Sequence, residues 1–398
     1  MSYHECPQPD SVERTAESCL IRVIDPRPRE LGDFTVRRLL PFRHQRTVGP
    51  FIFFDHFGPV TLGPDQGLDV RPHPHINLAT VTYLFEGTVL HRDSVGSEQL
   101  IEPGDINWMT AGRGIVHSER TPDSLRNSDH TQHGLQLWLG LPVADEETEP
   151  EFAHYPAAEL PVVELRGSRA AVMIGQAYGV TSPVRTFSPT LYVDVQLDSG
   201  ATVALPESPE RAVYIVDGEL AVDGQLFTAR KLLVFRSGQS PDLRATMETR
   251  FVVIGGAPLD GERHLWWNFV SSRPLRIEEA KAAWGRGDFP SVPGEEAEVI
   301  PLPDESPRIL TRDLPNGGEW MLFHNGNVIG ELTWRRIDGR TIDLVHTGVR
   351  DAYRGEGWAR KLVMAAVSWA RKTDSRLAAT CSYAAKILSE DHVSDVRA

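Results

Sequence analysis

The sequence predicts a mainly β protein whose last part changes to an α/β pattern. Most of the 398 residues form short segments rich in Val, Ile, Tyr and Phe and bounded by Gly, Pro, Asp or Asn, such as TLYVDVQL and RAVYIVDGELAV. Segments of this kind are typical of short strands joined by turns in a sandwich or a barrel. Helical periodicity is clear at only two places, residues 276–289 and 359–372.

A loose internal repeat predicts two related β units within the β part. TYLFEG (82–87) and YIVDG (214–218) each read as a strand that ends in a turn, and each is followed by a second strand and turn. Acidic, proline-rich segments at 142–156 and 290–307 follow the two units. Because such composition favours an extended and solvated chain, we expect both segments to be exposed connectors.

The composition argues against several classes of protein. The chain has 41 Lys and Arg against 55 Asp and Glu, a net charge of −14, and phosphate contacts need clustered cations, so we expect no nucleic-acid partner. No apolar run approaches the roughly 18 residues of a membrane helix, and the polar N-terminus does not resemble a signal peptide. Cys6, Cys19 and Cys381 give no disulfide framework. We therefore expect a cytoplasmic monomer that has no membrane partner.

Two pairs of side chains carry the chemistry of the first β unit. His73 and His75 are two residues apart, as are His117 and Glu119. Side chains two apart on a strand point to the same side, so the four would converge if the segments lie on neighbouring strands. Three neutral nitrogens and one carboxylate suit a divalent first-row transition metal with open positions. A single pair would mean little, and the second β unit has neither pair, so we expect it to be metal-free.

Other polar residues near these pairs are weaker candidates. His91 is a candidate for the wall of the pocket. Further candidates for supporting the ligands are Asp55, His56 and Asp93. His130 and His133 are expected in a polar loop, where solvation is a better interpretation than metal binding.

The segments HPHINLATVTYLFEG, HRDSVGSEQLIEPGDINWMTAGRGIVHSER and GPFIFFDHFGP resemble the pirin family of cupins, whose chains form two stacked β-barrels. The resemblance runs from about Val23 to Pro303. It implies that His73, His75, His117 and Glu119 are the metal ligands. It also implies an N-terminal extension (1–22), an N-terminal cupin barrel with the metal site (23–145), a metal-free C-terminal cupin barrel (156–290) and a proline-rich linker (291–307).

The same resemblance implies two alternative functions. Bacterial pirins resemble flavonol 2,3-dioxygenases, which would make this chain an enzyme that uses Fe²⁺, or another divalent transition metal, and O₂ to open a flavonol such as quercetin. Glu119 would then be both a ligand and a transient base. Animal pirin resembles a metal- and redox-sensitive regulator, which would make the chain a sensor that binds a protein partner without turnover. The sequence leaves both alternatives open.

The tail predicts a separate α/β domain over residues 308–398. Strand-like segments joined by Asn-Gly and Asp-Gly turns precede a glycine-rich turn that opens an apolar-faced helix. Free N–H groups at such a helix start can bind a pyrophosphate, although an ordinary strand-to-helix turn is the alternative. Residues 318–388 resemble small GNAT-type N-acetyltransferase domains, which implies an acetyl-CoA loop formed by Arg354, Gly355, Gly357 and Ala359. Glu356 departs from that pattern, because an acidic side chain repels a pyrophosphate.

Overall fold

The computed structural model describes residues 18–31 and 34–398, without the side chain of Leu31. Most of the expected N-terminal extension, including Cys6, lies outside the described residues. The mainly β prediction is confirmed, with 49% of residues in strands and 14% in helices. The chain divides into two compact units, one that runs through Ser272 and includes Pro290–Ile300, and one made of Arg273–Phe289 and Pro301–Ala398.

The first unit contains two antiparallel barrels built from short strands. Their bounds are β1 (Leu20–Ile24), β2 (Arg27–Leu31), β3 (Phe34–Leu40), β4 (Phe51–Leu62), β5 (Val70–His75), β6 (Leu78–Glu86), β7 (Val89–Asp93), β8 (Glu98–Ile101), β9 (Ile106–Thr110), β10 (Ile115–Arg120), β11 (His130–Gly140), β12 (Glu151–Tyr155), β13 (Val162–Leu165), β14 (Ser168–Ile174), β15 (Gln176–Ala177), β16 (Val180–Thr181), β17 (Thr190–Leu197), β18 (Thr202–Ala204), β19 (Glu210–Asp217), β20 (Glu219–Val222), β21 (Gln225–Thr228), β22 (Leu232–Phe235), β23 (Asp242–Ala245), β24 (Thr249–Gly256), β25 (His264–Trp266) and β26 (Phe269–Ser271).

The first barrel is formed by two facing sheets. The larger sheet has the order β12-β9-β6-β11-β4-β3-β2, and the smaller has the order β5-β10-β7-β8. The strand β12 pairs with β9, so the segment 142–156, predicted as an exposed connector, supplies an edge strand of this barrel. The small sheet places β5 beside β10, which brings the two candidate ligand pairs together.

The second barrel repeats this architecture but takes one strand from the start of the chain. Its sheets have the orders β1-β22-β19-β24-β17-β14-β13 and β18-β23-β20-β21. The strand β1 pairs antiparallel with β22, and its Leu20, Val23 and Ile24 are buried. The boundary predicted at residue 23 therefore falls inside a strand of the second barrel.

The two barrels share one hydrophobic core. Residues of both contribute to a single buried cluster, in which the rings of Phe54 and Tyr214 lie 4.9 Å apart. The hydroxyl of Tyr83 in the first barrel donates to Asp194 Oδ2 in the second at 2.6 Å, and Asp194 is also paired with Arg250. Buried polar groups need such partners, so this contact specifies how the barrels pack.

The prediction that His130 and His133 lie in a polar loop is wrong. Both residues lie in β11, and the Nε2 atoms of His133 and His56 are 2.8 Å apart. The other ring nitrogen of His56 lies 2.6 Å from the hydroxyl of Tyr214 in the second barrel. Burial lowers the pKa of His133 to about 4, and nearby arginines add to this effect. His56 and His133 therefore belong to the contact between the barrels.

The predicted linker after residue 290 returns to the first barrel instead of remaining free. Glu295 accepts hydrogen bonds from the Ser118 hydroxyl at 3.1 Å and from Arg120 Nε at 2.9 Å. The N–H of Ile300 donates to the carbonyl of Pro72 at 2.9 Å. Both contacts lie next to candidate ligands in sequence, so this segment supports the two strands that carry them.

The second unit is an α/β fold around one antiparallel sheet. Its sheet has the order of the chain, and only the last two strands are parallel to each other. Among the described residues, none of the helices combines the length and the apolar character needed to cross a membrane. The bounds are α1 (Pro274–Arg286), β27 (Arg308–Leu314), β28 (Gly317–His324), β29 (Asn327–Arg336), β30 (Thr341–Val349), α2 (Trp358–Thr373), β31 (Arg376–Ala379) and α3 (Ser382–Leu388).

Helix α1 packs with the tail, whereas the predicted domain boundary at residue 290 assigned it to the second barrel. The buried Lys281 is ion-paired with Glu278 at 3.1 Å and also with Glu305. A buried ammonium is stable only when it is paired, so these contacts hold the helix in the second unit.

Candidate metal centre

The candidate ligands lie on two adjacent strands of the small sheet. His117 on β10 is directly opposite His73 on β5, and His75 points to the same side as His73 because strand side chains alternate. One ligand atom from each of these three histidines lies within 4.8 Å of the others. The pairing of β10 with β5 shifts after His117, so that Glu119 lies opposite Val70 on β5. On the other side of β10, Glu119 pairs with His91 on β7.

Backbone carbonyls orient the two histidines of β5. Nδ1 of His73 lies 2.8 Å from the carbonyl oxygen of Arg71, and Nδ1 of His75 lies 3.1 Å from that of Asn268. A carbonyl can only accept, so each Nδ1 carries the proton and each Nε2 keeps its lone pair. Metal-binding histidines are held by this kind of contact.

His117 has the property expected of a ligand that awaits an ion. It is 1% exposed, and neither of its ring nitrogens has a hydrogen-bond partner among the described residues. An unsatisfied buried nitrogen costs about 1–3 kcal/mol, and native proteins rarely tolerate one. A metal ion between the three histidines would satisfy it. The residues present therefore fit a metal.

The three imidazoles are neutral near pH 7. Burial lowers the pKa of His73 to about 4 and lowers the pKa values of His75 and His117 well below the usual range. For the last two, the neighbouring histidines add to the effect of burial. Neutral imidazole is the form that binds a metal, so the site needs little proton release to accept one.

Glu119 lies beside the histidines in a second, overlapping group. Its carboxylate lies within 4.8 Å of ligand atoms of His117 and His91. Its Oε1 accepts a 2.6 Å hydrogen bond from the Thr82 hydroxyl. Burial raises the pKa of the Glu119 carboxyl, against the opposing effect of that hydrogen bond. The structure thus brings all four candidate ligands to one place, with the carboxylate to one side of the histidine cluster.

A cavity of about 510 Å³ opens onto this cluster. One wall is an aromatic stack, in which the ring centres of Phe53 and Trp138 lie 3.9 Å apart at 11°. The ring centres of Trp138 and His75 lie 5.0 Å apart in a T-shaped arrangement. Residues from both ends of the unit complete the lining, among them Phe34, Val36, Leu68, Trp267, Asn268 and Ile300. The cavity surface is therefore mostly apolar, and its polar side chains include the candidate ligands as well as Arg38, Asp55, Thr82 and Gln136.

Comparison with known proteins identifies the family. Residues 33–139 match the Pirin family, residues 192–290 the Pirin C-terminal cupin domain, and residues 319–396 the GCN5-related N-acetyl-transferase family. A pirin-like protein of Caulobacter vibrioides is 46% identical over 286 residues, which cover 71% of this chain and 99% of that protein. This chain belongs to the pirin family.

Two further proteins are similar to this pirin, one in sequence and one in solved structure. The pirin of Rattus norvegicus is 34% identical over 256 residues, which cover 62% of this chain and 84% of that protein. The crystal structure of a quercetin 2,3-dioxygenase from Acinetobacter baumannii is 36% identical, with a TM-score of 0.67, and the match covers 71% of this chain and 95% of that one. The predicted family, fold class and GNAT-like tail are all confirmed.

The weaker sequence candidates of this pirin separate into two groups. His91 is buried beside Glu119, where its Nε2 lies 3.0 Å from Asp93 Oδ2 and its ring stacks on Phe152. Asp55 lines the cavity, but its neighbour His56 faces the second barrel, because adjacent residues on a strand point to opposite faces. His91, Asp93 and Asp55 therefore belong to the surroundings of the site, and His56 does not.

Several residues of the site were missed by sequence reasoning. Thr82 and Gln136 are polar residues that line the cavity from largely buried strands, and their place among apolar neighbours was the one available signal. Asn268 and Ile300 come from segments that are far from the ligands in sequence, and nothing local marks them. Their roles follow only from the way the chain returns to the first barrel.

The candidate acetyl-CoA loop of this pirin is an open turn at the start of α2. Gly355 and Gly357 have φ values of +87° and +80°, and a Cβ added at either would meet nothing within 4 Å. Arg354 is tied back to Val349 O at 3.1 Å, Ala359 lies in the first turn of α2, and the Trp358 indole N–H donates to Glu356 Oε2 at 2.9 Å. A ligand can therefore approach the loop, but the carboxylate of Glu356 lies within it.

Proposed function

We propose that this pirin is a dioxygenase that opens the heterocycle of a flavonol such as quercetin with O₂, releasing carbon monoxide and a depside. The observation that carries the proposal is the 510 Å³ aromatic-walled cavity that ends at three neutral histidines and a carboxylate. The similarity to the solved quercetin 2,3-dioxygenase of Acinetobacter baumannii supports the same assignment.

His73, His75, His117 and Glu119 would hold a divalent ion, for which we propose Fe²⁺. Such an ion, when bound, supplies Lewis acidity and a redox centre for O₂ chemistry. The protein supplies orientation of the ligands, through the carbonyls of Arg71 and Asn268.

Glu119 accepts the proton of the flavonol 3-hydroxyl in this proposal. Its Oε1 is held by Thr82, so Oε2 is the oxygen proposed to take the proton. A general base works best when its pKa lies near the working pH, and burial shifts the pKa of this carboxyl in that direction. The apolar walls exclude water from the anion that results.

The experiment measures metal and turnover on the same preparation. We expect freshly purified protein to contain iron and to consume O₂ with quercetin, and we expect carbon monoxide and the depside to form in equal amounts. Elemental analysis, an oxygen electrode and mass spectrometry follow the metal, the gas and the product. Protein that carries the metal but consumes no O₂ with quercetin would contradict the proposal.

The regulatory alternative is not proposed, because nothing in residues 18–31 and 34–398 favours a protein partner over a small substrate. The cavity is lined by aromatic and polar side chains and suits a small planar molecule. Sites of this kind, apolar with a few converging polar groups, are typical of small-ligand binding.

For the tail we propose binding of acetyl-CoA at the start of α2, with the pyrophosphate at the glycine turn. We expect coenzyme A to raise the midpoint of thermal unfolding of the second unit in the full-length chain. Removing the charge of Glu356 with Glu356→Gln should tighten binding by about two- to fivefold, since a charge at a helix start is worth about 0.3–1 kcal/mol. Isothermal titration of the full chain with coenzyme A measures the affinity, and a thermal unfolding scan measures the midpoint. A flat response from both the wild-type protein and the variant would overturn the assignment.

A further inference from the structure

Four polar side chains cross one wall of the cavity in a single row. Arg38 on β3 lies opposite Asp55 on β4, Asp55 lies opposite Gln136 on β11, and Gln136 lies opposite Thr82 on β6. Cross-strand partners point to the same face of a sheet, and all four line the cavity. Neighbouring strands are about 4.8 Å apart, so this polar row is about 14 Å long.

Hydrogen bonds connect the polar row to the proposed metal centre. Arg38 donates two hydrogen bonds to the Asp55 carboxylate, from Nε at 2.8 Å and from Nη2 at 2.7 Å. At the other end, Thr82 Oγ1 lies 3.0 Å from Gln136 Oε1 and 2.6 Å from Glu119 Oε1. One end of the row therefore lies at the candidate base, and the other end is the ion pair of Arg38 and Asp55.

Apolar residues flank the polar row on both sides. Phe53 and Trp138 are cross-strand partners and form the aromatic stack that leads to His75. On the other side, Val36 and Phe57 are cross-strand partners that also line the cavity. The polar row is therefore the part of this wall where a bound ligand could form hydrogen bonds, and apolar walls with a few converging polar groups are typical of small-ligand sites.

The chemistry of the row suits neutral hydroxyl groups on a planar molecule. The Asp55 carboxylate is 2% exposed and keeps free lone pairs after accepting both bonds from Arg38. The pair with Arg38 leaves no net charge, so a charged ligand group would gain little there. The guanidinium of Arg38 lies over the Phe53 ring, 4.3 Å from its centre, and so adds to the aromatic stack.

We propose, building on the proposed function, that the polar row binds the hydroxyl groups on the rings of the flavonol that lie away from the reacting carbon. The 3-hydroxyl lies at Glu119, the ring system lies along the aromatic stack, and the other hydroxyls meet Gln136, Asp55 and Arg38. The site therefore selects polyhydroxylated flavonols over flavonols that carry only the 3-hydroxyl.

The test compares quercetin with 3-hydroxyflavone, which has no hydroxyl besides the reacting one. We expect wild-type protein to favour quercetin in kcat/KM by about tenfold or more, because a site built for hydroxyls leaves polar groups unpaired when they are absent. Asp55→Asn should lower kcat/KM for quercetin by about tenfold and leave that for 3-hydroxyflavone within about twofold. A role in folding alone would change both substrates equally.

A second variant guards against misfolding of the first. Gln136→Met keeps the length of the side chain, removes its hydrogen bonds and should also reduce the preference for quercetin. Glu151→Gln removes an exposed carboxylate from the edge strand β12 and should preserve the wild-type ratio. Equal losses on both flavonols, or a wild-type ratio near one, would overturn the role of the polar row.

Binding separates a failure of this inference from a failure of the proposed function. If neither flavonol is consumed, the dissociation constants of both are measured by quenching of tryptophan fluorescence, since Trp138 and Trp267 line the cavity. Tighter binding of quercetin that Asp55→Asn abolishes would support the polar row without any turnover. Equal affinity of the two flavonols for wild-type protein would overturn it.

Discussion

Glu119→Gln is expected to lower kcat for quercetin by about 10²–10⁴-fold while a substantial part of the metal stays bound. The amide oxygen of glutamine can still accept the hydrogen bond from Thr82, so the side chain keeps its place. The amide cannot take up the proton of the 3-hydroxyl, however. The loss therefore falls on the proton transfer, which needs the carboxylate whose pKa is raised by burial.

Elemental analysis and O₂ consumption on the same samples measure this effect. Glu151→Gln is the matched control, because it makes the same chemical change at an exposed position outside the cavity, and it should keep both metal and turnover. Unchanged kcat in Glu119→Gln would remove the base from the proposed mechanism. If the double variant His73→Ala, Glu119→Ala still bound a full complement of metal, the proposed ligand set would be wrong as well.

His117→Leu is expected to lose metal without losing stability in the metal-free state. A direct ligand should matter at least as much as the outer partners of ligands, whose removal costs about 10–100-fold in metal affinity. In metal-free protein, the substitution replaces a fully buried imidazole that has no partner among the described residues. Exchanging an unsatisfied polar group for an apolar one of similar size is neutral or stabilising.

The control for His117→Leu is a histidine that has a partner. His154 on β12 is bonded to Asn107 through Nδ1 at 2.8 Å, so His154→Leu should lower stability and leave metal content unchanged. Titration with iron and thermal unfolding after chelation give the two quantities for both variants. Metal-free His117→Leu that unfolds well below wild type would show that His117 has a structural partner, which would weaken its assignment as a ligand.

Residues Pro290–Ile300 belong to the first unit and support the two strands that carry the candidate ligands. Glu295 bonds to Ser118 and Arg120, and Ile300 both bonds to Pro72 and lines the cavity. The acidic composition of this segment was read as a solvated connector. The Glu295 carboxylate instead accepts a hydrogen bond from Arg120 of β10. This partner is 175 residues away in sequence, so no local pattern could indicate it.

Local spacing was enough to predict the candidate ligands. His73 with His75, and His117 with Glu119, share a face by strand alternation alone, and the composition predicted strands at both places. The two glycines at the start of α2 were equally readable, because a turn with positive φ favours glycine wherever it occurs. Such features depend on neighbours in sequence, so the sequence by itself determined them.

The order of strands in the sheets decided which residues of distant segments come together. It placed β1 in the second barrel, and it turned His56 toward that barrel while Asp55 faced the cavity. It also aligned Arg38, Asp55 and Gln136 into one row, although they come from separate segments of the chain. Pairing and register depend on contacts between distant residues, which no local pattern records, so only the tertiary structure could show where the polar wall of this cavity lies.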